Sequence, residues 1–291
     1  MNDAISIKSI LFLQTKRVIA YFVLGLLALL CLFSIYILII NSTRSHYEIQ
    51  QGFSFLPGNS FIDNAKNLFN DSNIKLTKGL FWSLFIAGAS ATLTVFFSAA
   101  TAYGIHMYNF RFKNFAFLFI LLVMMVPTQI SALGLVQMCF DAGLTSGYSA
   151  LIPLIVPSIA SPVVFFYMKQ YLESVLPNEM IESSRVDGAG EIRIFFQMVL
   201  PILKPAIAIQ FIFSFVGSWN NYFIPALIMQ GSNKITTLPI IISNLKASDP
   251  STFDMGKVYM IMLIAVVPLL IVYLIFSKLI IRGLTAGAVK G

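Results

Sequence analysis

Residues 18–40 read VIAYFVLGLLALLCLFSIYILII, a run of 23 residues without a charged side chain. A helix needs about 20 predominantly apolar residues to cross the hydrocarbon core of a bilayer, so this run is long enough to span it. It exceeds the roughly 7–15 residues of a secretory signal's apolar region, and no small-residue cleavage site follows in Asn41-Ser42-Thr43-Arg44. We therefore expect the run to stay as the first transmembrane helix.

The same absence of charge recurs along the chain. Uncharged stretches of at least 20 residues occur at 18–43, 79–110, 114–140, 142–168, 205–233 and 258–277. In lipid, only helices and closed barrels satisfy every backbone polar group, and these continuous apolar runs differ from the alternating pattern of a barrel strand. The sequence therefore predicts an all-α integral membrane protein with six transmembrane helices.

Composition excludes several other classes of protein. Only 11% of the residues are charged and the mean hydropathy is +0.84, whereas a soluble domain carries about 25% charged residues. The net charge of +7 comes from basic residues scattered among loop ends, which is unlike a nucleic-acid-binding face. Cys31, Cys139, His46 and His106 stand apart from one another without metal-ligand spacing. We expect neither a nucleic-acid partner nor a bound metal.

The distribution of basic residues predicts the orientation, because short cytoplasmic loops collect Lys and Arg. With the N-terminus inside the cell, the inside segments hold twelve of the 19: Lys8, Lys16, Arg17, Arg111, Lys113, Lys169, Arg185, Arg193, Lys204, Lys278, Arg282 and Lys290. Both termini are therefore predicted to be cytoplasmic, in a multi-pass protein of the cell membrane. The loop at 170–204 then faces the cytoplasm.

The apolar stretches contain no acidic residue. A proton-coupled carrier or an intramembrane hydrolase uses such side chains, so both are disfavoured. The chain also lacks the Gly-x-x-x-x-Gly-Lys-Ser/Thr loop that binds ATP phosphates. We expect a non-catalytic chain that binds no cofactor, with any ATP and Mg held by a separate ATPase.

The cytoplasmic loop has the pattern of a short helical hairpin. Pro177-Asn178 is typical of a helix start, with Asn178 as the N-cap, and the helix is expected to continue to about Asp187. Gly188 can then turn the chain, because glycine reaches positive φ without steric cost. Residues 191–200 lead through Pro201 into the fifth span. The small residues Ser and Gly on the helix would allow close contact with another protein, with charged residues at the edge of the contact.

The residues of this loop resemble the conserved cytoplasmic loop of permease subunits in ATP-binding-cassette importers. That pattern is Glu-Ala-Ala, three residues, Gly, nine residues, Ile, one residue, Leu-Pro. Here the spacing is kept in Glu182-Ser183-Ser184, Gly188, Met198 and Leu200-Pro201, with serines for the alanines and Met198 for the isoleucine. The resemblance implies that the ATPase is bound by Glu182, Ser183, Ser184, Arg185, Asp187, Gly188, Met198, Leu200 and Pro201.

Two further stretches resemble the carbohydrate branch of these permeases, the maltose-type inner-membrane subunit. They are the C-terminal residues 283–291, GLTAGAVKG, and Ala102-Tyr103 followed by Arg111-Phe112. The resemblance implies a type I importer fold with helices two to six as the permease core, and a C-terminal contact with the ATPase through Thr285, Gly287 and Lys290. It also implies a heterodimer with a second homologous permease, an ATPase dimer, and an extracellular or periplasmic solute-binding protein.

The predicted division of the chain has four parts. These are the cytoplasmic N-terminus 1–17, the first helix and extracellular loop 18–78, the permease core 79–281 with its coupling loop at 170–204, and the cytoplasmic tail 282–291. Residues 231–255 resemble the loop that family members insert into the binding protein, although a plain helix connector fits as well. The 41–78 loop is either a second such contact or an amphipathic surface segment.

Polar residues inside the spans are candidates for the substrate path, because unpaired polar groups are costly in lipid. They are Trp219, Asn220, Asn221, Tyr222, Thr128 and Gln129. An equally good interpretation is that the amide side chains form hydrogen bonds between packed helices. The predicted function is import of an oligosaccharide or related sugar by an ATP-driven, binding-protein-dependent system. The alternatives are a membrane assembly or regulatory subunit that binds an ATPase without translocating substrate and, less favoured, an ion-coupled carrier.

Overall fold

The computed structural model describes residues 7–229, 234–247 and 253–288, and the regular elements in these ranges are all helices. In chain order they are α1 Ile7–Ser42, α2 His46–Gln50, α3 Phe61–Phe69, α4 Leu76–Met107, α5 Lys113–Met124, α6 Thr128–Asp141, α7 Leu151–Ile155, α8 Pro162–Val175, α9 Asn178–Val186, α10 Glu191–Ile194, α11 Leu200–Trp219, α12 Phe223–Ile228, α13 Leu238–Lys246 and α14 Met255–Ala288. The predicted all-α class is confirmed.

The helices form two compact units. One contains α1 to α3 and the start of α14, up to residue 264, and the other contains α4 to α13 and the rest of α14. In the second unit α4 is central and packs mainly against α8 and α11. Its alanines at 87, 91, 99 and 102 are fully buried. Small side chains allow this close approach of helices within a membrane.

The third predicted span, 114–140, is not one continuous helix. It is divided into α5 and α6, which meet at an angle of 96°. Pro127 lies at the break with an extended backbone. Proline has no N–H to donate to the preceding turn and disfavours helical geometry in the residue before it, so the helix ends there. The described residues thus contain five helices long and apolar enough to cross a membrane, or six if this bent pair counts as one span.

The fourth and fifth predicted spans are displaced along the chain, and the fourth runs over Leu151–Val175 instead of 142–168. The stretch at 205–233 was expected to be the fifth, but the helical span runs over Glu191–Trp219 and ends before Asn220. Residues 195–199 form a π turn within it. The ring of Pro201 would clash with the carbonyl of residue 197, four positions earlier, and the wider π turn relieves that crowding.

The last helix, α14, extends beyond the predicted span at 258–277. Residues 282–288, expected as a tail, continue its backbone as helix. Thr285 and Gly287 belong to this helical extension, whereas Lys290 lies outside the described residues.

The first unit is held together at the end of α1. The Asn64 side chain donates two hydrogen bonds of 2.9 Å, to the carbonyls of Ser42 and Arg44. Lys257 at the start of α14 forms an ion pair with Asp71 at 2.8 Å. The predicted extracellular loop at 41–78 therefore contains α2, α3 and tertiary contacts of its own.

Candidate coupling and translocation sites

The predicted helical hairpin is present and is formed by α9, a turn and α10. We call residues 178–194 the coupling hairpin. The prediction that Asn178 is the N-cap was wrong, because Asn178 is already the first helical residue. The N-cap is Pro177, which makes no side-chain hydrogen bond to the helix. Gly188 adopts φ of +82°, which confirms the predicted glycine turn. The chain can turn there because glycine, which has no Cβ, adopts this backbone conformation without steric cost.

The coupling hairpin has one face in the core and one on the surface. Ile181 and Ile194 are buried in the same apolar cluster as Leu172 of α8 and Leu203 of α11. Burial of an aliphatic side chain contributes about 1.5–3 kcal/mol, so these residues hold the hairpin on the helices of the permease core. The side chains of Glu182, Ser183 and Asp187 and the turn at Gly188 are exposed on the opposite face. This is the face that the sequence pattern predicts for ATPase contact.

The two serines that replace the alanines of the family pattern direct their hydroxyls to a backbone carbonyl of their own helix. Ser183 and Ser184 donate to the carbonyl of Met180 at 3.0 and 2.8 Å, and Ser184 also lies 3.1 Å from the Met198 sulfur. Their hydroxyl groups are therefore largely satisfied within the chain. Because serine is also a small residue, the side chains on the exposed face stay small. Met198 and Leu200 are half-buried on the core side, whereas Pro201 is exposed.

A polar network joins the coupling hairpin to the end of α4. The Arg185 Nε donates to Glu191 at 2.6 Å, and the Tyr103 hydroxyl donates to the same carboxylate at 2.8 Å. The Arg185 guanidinium also lies 5.5 Å from the centre of the Tyr108 ring. Arg185, predicted as a charged contact for a partner, is thus paired within the chain. We call Tyr103, Tyr108, Arg185 and Glu191 the hairpin network.

The interactions within the hairpin network shift the pKa values of its own members. The hydrogen bond with Glu191 raises the pKa of Arg185, so this side chain stays charged. Burial and the nearby Glu191 raise the pKa of Tyr108. One Arg185 nitrogen, Nη2, is buried without a hydrogen-bond partner. The network therefore contains a charged Arg185–Glu191 pair.

Two exposed aliphatic residues on the coupling hairpin were not predicted. Val186 is 88% exposed and Ile192 is 78% exposed, on either side of the Gly188 turn. Met180 adds a further exposed apolar surface. Aliphatic side chains in an otherwise charged loop were a signal in the sequence that could have identified them. They give the exposed face an apolar component, which is typical of protein contacts.

A cleft of about 680 Å³ lies among α4, the α5–α6 bend, α7, α8, α11 and α12. Its lining is rich in hydroxyl groups, with Ser90, Thr94, Thr128, Ser131, Ser158, Ser161, Ser214 and Ser218. The bend at Pro127 brings Thr128 and Ser131 to this lining. The cleft offers hydrogen-bonding groups within an apolar wall, which suits a polar, uncharged solute.

The predicted substrate-path residues are separated by the structure. Asn221 lines the cleft, whereas Asn220 and Gln129 are exposed and are not part of its lining. Trp219 is buried and stacks on Phe215, with 5.8 Å between ring centres. Thr128 was predicted and lines the cleft, but the other cleft hydroxyls were missed because isolated Ser and Thr residues in apolar spans also bond within their own helices. Among the described residues, no group of three His, Cys, Asp or Glu side chains could hold a metal ion.

The segment expected to contact a binding protein is partly packed against the permease core. The backbone N–H of Leu238, at the start of α13, donates to the Ser83 hydroxyl of α4 at 2.8 Å. Leu238 and Ile241 are buried. Residues 231–233 and 248–252 of the predicted loop lie outside the described residues.

Comparison with known proteins assigns the family. Residues 94–286 match the model for the binding-protein-dependent transport system inner membrane component. The chain belongs to this family. The predicted membership of the importer permeases is thus confirmed, and the protein is a membrane-embedded transport subunit, which is not a catalytic role.

Relatives match this permease over nearly its whole length. The arabinooligosaccharides transport system permease protein AraQ of Bacillus subtilis (strain 168) is 35% identical over 91% of this chain and 93% of its own. The lactose transport system permease protein LacG of Rhizobium radiobacter is 29% identical, with 94% and 96% covered. A solved bacterial ABC transporter involved in alginate import superimposes with a TM-score of 0.75 at 19% identity, over 91% of this chain and 96% of that one. The last match confirms the predicted permease fold.

Proposed function

We propose that this permease imports carbohydrate, an oligosaccharide or a related sugar, as one half of a translocation path whose other half is a second homologous permease. An ATPase dimer on the cytoplasmic side, binding ATP and Mg, supplies the energy, and an extracellular or periplasmic binding protein delivers the solute. Both termini are cytoplasmic in this arrangement. The names of AraQ, LacG and the melibiose/raffinose/stachyose permease MelC support a sugar. The sn-glycerol-3-phosphate permease UgpE keeps phosphate esters, of a polyol or a sugar, as the competing substrate class.

The observation that carries this proposal is the two-sided construction of the coupling hairpin. Its outer face presents Glu182, Ser183 and the Gly188 turn, with Val186 beside them. Its inner face is anchored by Ile181 among the core helices. A partner that moves the outer face must therefore displace the helices that carry the inner face, because a packed core moves as a body. ATP-driven closure of an ATPase dimer would be transmitted by this route.

The hydroxyl-lined cleft supports a neutral polar solute as cargo. Sugars present many hydroxyl groups, which serine, threonine and amide side chains can match with hydrogen bonds. Asn221 is the one predicted amide in this lining. The described part of the cleft contains no charged side chain, so it offers no counter-ion for the phosphate group of a sugar phosphate.

Affinity purification in mild detergent, followed by mass spectrometry, tests the proposal. The tagged chain should retain an ATPase and a second permease, and Glu182→Lys should lose the ATPase while membrane insertion is unchanged. Recovery of the chain alone, or an unchanged set of partners in Glu182→Lys, would contradict it. An ATPase without a second permease and without uptake would favour the assembly or regulatory role.

Uptake by the reconstituted complex then separates the substrate classes. Labelled oligosaccharides, lactose and sn-glycerol 3-phosphate should be compared in proteoliposomes loaded with ATP. We expect uptake of a neutral sugar that Asn221→Ala reduces severalfold, whereas Asn220→Ala, outside the cleft, leaves it near the wild-type rate. Transport that survives removal of ATP and stops with the proton gradient would establish an ion-coupled carrier instead.

A further inference from the structure

Residues 52–56, of sequence GFSFL, fold back along α1 instead of extending away from its end. We call them the foldback segment. The ring centre of Phe53 lies 6.0 Å from that of Phe33 on α1 and 4.6 Å from that of Phe55. The Tyr36 hydroxyl on α1 donates a hydrogen bond to the Phe55 carbonyl. The foldback segment is thus attached to α1 at two positions well before the helix ends.

Those two positions lie inside the first apolar stretch. Because α1 ends at Ser42, Tyr36 and Phe33 precede its end by six and nine residues, or about 9 and 14 Å at ~1.5 Å per residue. A hydrocarbon core of about 30 Å covers roughly 20 helical residues. Centred on the uncharged run 18–40, it would end near residue 39, about 9 Å beyond Phe33. The Phe53 ring therefore lies at a depth where the helix is within the lipid.

Part of the backbone of the foldback segment has hydrogen-bond partners within the chain. The Gly52 carbonyl accepts from Arg44 Nη1 at 2.9 Å, and the Phe55 carbonyl accepts from Tyr36. The Leu56 N–H donates to the Ser54 hydroxyl at 3.0 Å, and this hydroxyl donates to the Leu56 carbonyl at 3.1 Å. An unsatisfied polar group costs several kcal/mol in hydrocarbon, so these bonds lower the cost of placing these four groups beside the lipid, whereas the backbone of Phe53 and Ser54 makes no such bond within the described residues. In water, solvent would satisfy the same groups.

The apolar side chains of the foldback segment are mostly exposed. Phe53, Phe55 and Leu56 are 57%, 63% and 75% exposed, and they continue the exposed apolar surface of α1. Ser54 is the one polar side chain in the segment, and its hydroxyl is used internally. We infer that the foldback segment inserts into the membrane beside α1 and binds lipid acyl chains. In the orientation given under the proposed function, this is the outer leaflet.

Spin labelling of the full complex in vesicles tests the inference. In a background with Cys31→Ser and Cys139→Ala, a nitroxide is attached at Leu56→Cys, a position with high exposure and no ring contact. Asn67→Cys, an exposed polar position on α3, is the matched control. Leu30→Cys, an exposed position within α1, is the lipid reference. Power saturation in phosphatidylcholine and phosphatidylglycerol vesicles then measures accessibility to oxygen and to a water-soluble nickel chelate.

We expect the ratio of oxygen to nickel accessibility at Leu56→Cys to resemble that at Leu30→Cys and to exceed that at Asn67→Cys severalfold. Nickel access equal to that at Asn67→Cys would overturn the inference in favour of a solvent-exposed loop. Exclusion of both reagents would overturn it in favour of a protein interface. The depth measurement does not depend on transport, and uptake assayed on the same vesicles shows separately whether the proposed function fails.

Discussion

Replacing Glu191 by glutamine should uncouple ATP hydrolysis from import, because the change disrupts the link between the coupling hairpin and α4. The Arg185 and Glu191 side chains are 33% and 41% exposed. Solvent screening therefore limits their charge attraction to about 0.2–1 kcal/mol. The Tyr103 hydroxyl would exchange a charged acceptor for a neutral one, a further loss of about 1 kcal/mol. The sum of about 1–2 kcal/mol shifts the equilibrium between an attached and a detached hairpin roughly 5- to 30-fold.

The assay is the number of ATP molecules hydrolysed for each solute imported into proteoliposomes. Glu191→Gln should leave ATPase binding intact, because Glu182 and the Gly188 turn on the outer face are unchanged. It should raise the ratio of ATP to solute severalfold, since the hairpin would move without carrying α4. Arg185→Ala should have a similar effect. The double variant should be little worse than either single one, because both changes remove the same interaction.

Glu173→Gln is the matched control for the change of charge. Glu173 forms an ion pair with Lys169 within α8, so its loss does not detach the coupling hairpin. The control should show the wild-type ratio of ATP to solute. The role of the hairpin network would be refuted if Glu191→Gln also kept the wild-type ratio, or if Glu173→Gln raised the ratio equally.

Three other changes have distinct expected outcomes. Gly188→Ala should destabilise the protein by about 1–2 kcal/mol, because Gly188 has a positive φ, and it should weaken ATPase retention. Gly190→Ala in the same turn, at φ of −73°, should be close to neutral in both stability and ATPase retention. Gly256→Ala should lower the melting temperature through a loss of about 1–3 kcal/mol, because its Cβ would lie 2.8 Å from the buried Asn64 Cγ; an unchanged melting temperature would contradict that packing. Deleting residues 285–291 should impair uptake more than membrane insertion, and full uptake by the truncated chain would contradict a role for the tail in coupling.

Several features of this permease could be predicted from the sequence because their causes are local. The apolar runs are long enough to span a bilayer, and that property depends on composition within about 20 residues. The turn at Gly188 follows from the conformational freedom of one residue type. The spacing from Glu182 to Pro201 identified the family, which the match over residues 94–286 confirmed.

The errors arose where position along the chain did not indicate position in space. An uncharged run at 114–140 shows that the segment is apolar, and Pro127 within it ends the helix and produces a 96° bend. Asn220 and Asn221 are equivalent by composition, yet only the second lines the cleft, because α11 ends between Trp219 and Asn220 and the chain turns there. Helix ends and bends depend on backbone geometry that hydropathy does not record.

The sequence by itself determined that this chain is a helical membrane permease with a glycine turn at Gly188, because hydropathy, glycine conformation and motif spacing act over short distances. Only the tertiary structure showed that Tyr103 contacts Glu191, 88 positions away, and that the foldback segment returns along α1 to Tyr36 and Phe33. Contacts of this kind depend on how the helices pack, and packing depends on the shapes of many side chains at once.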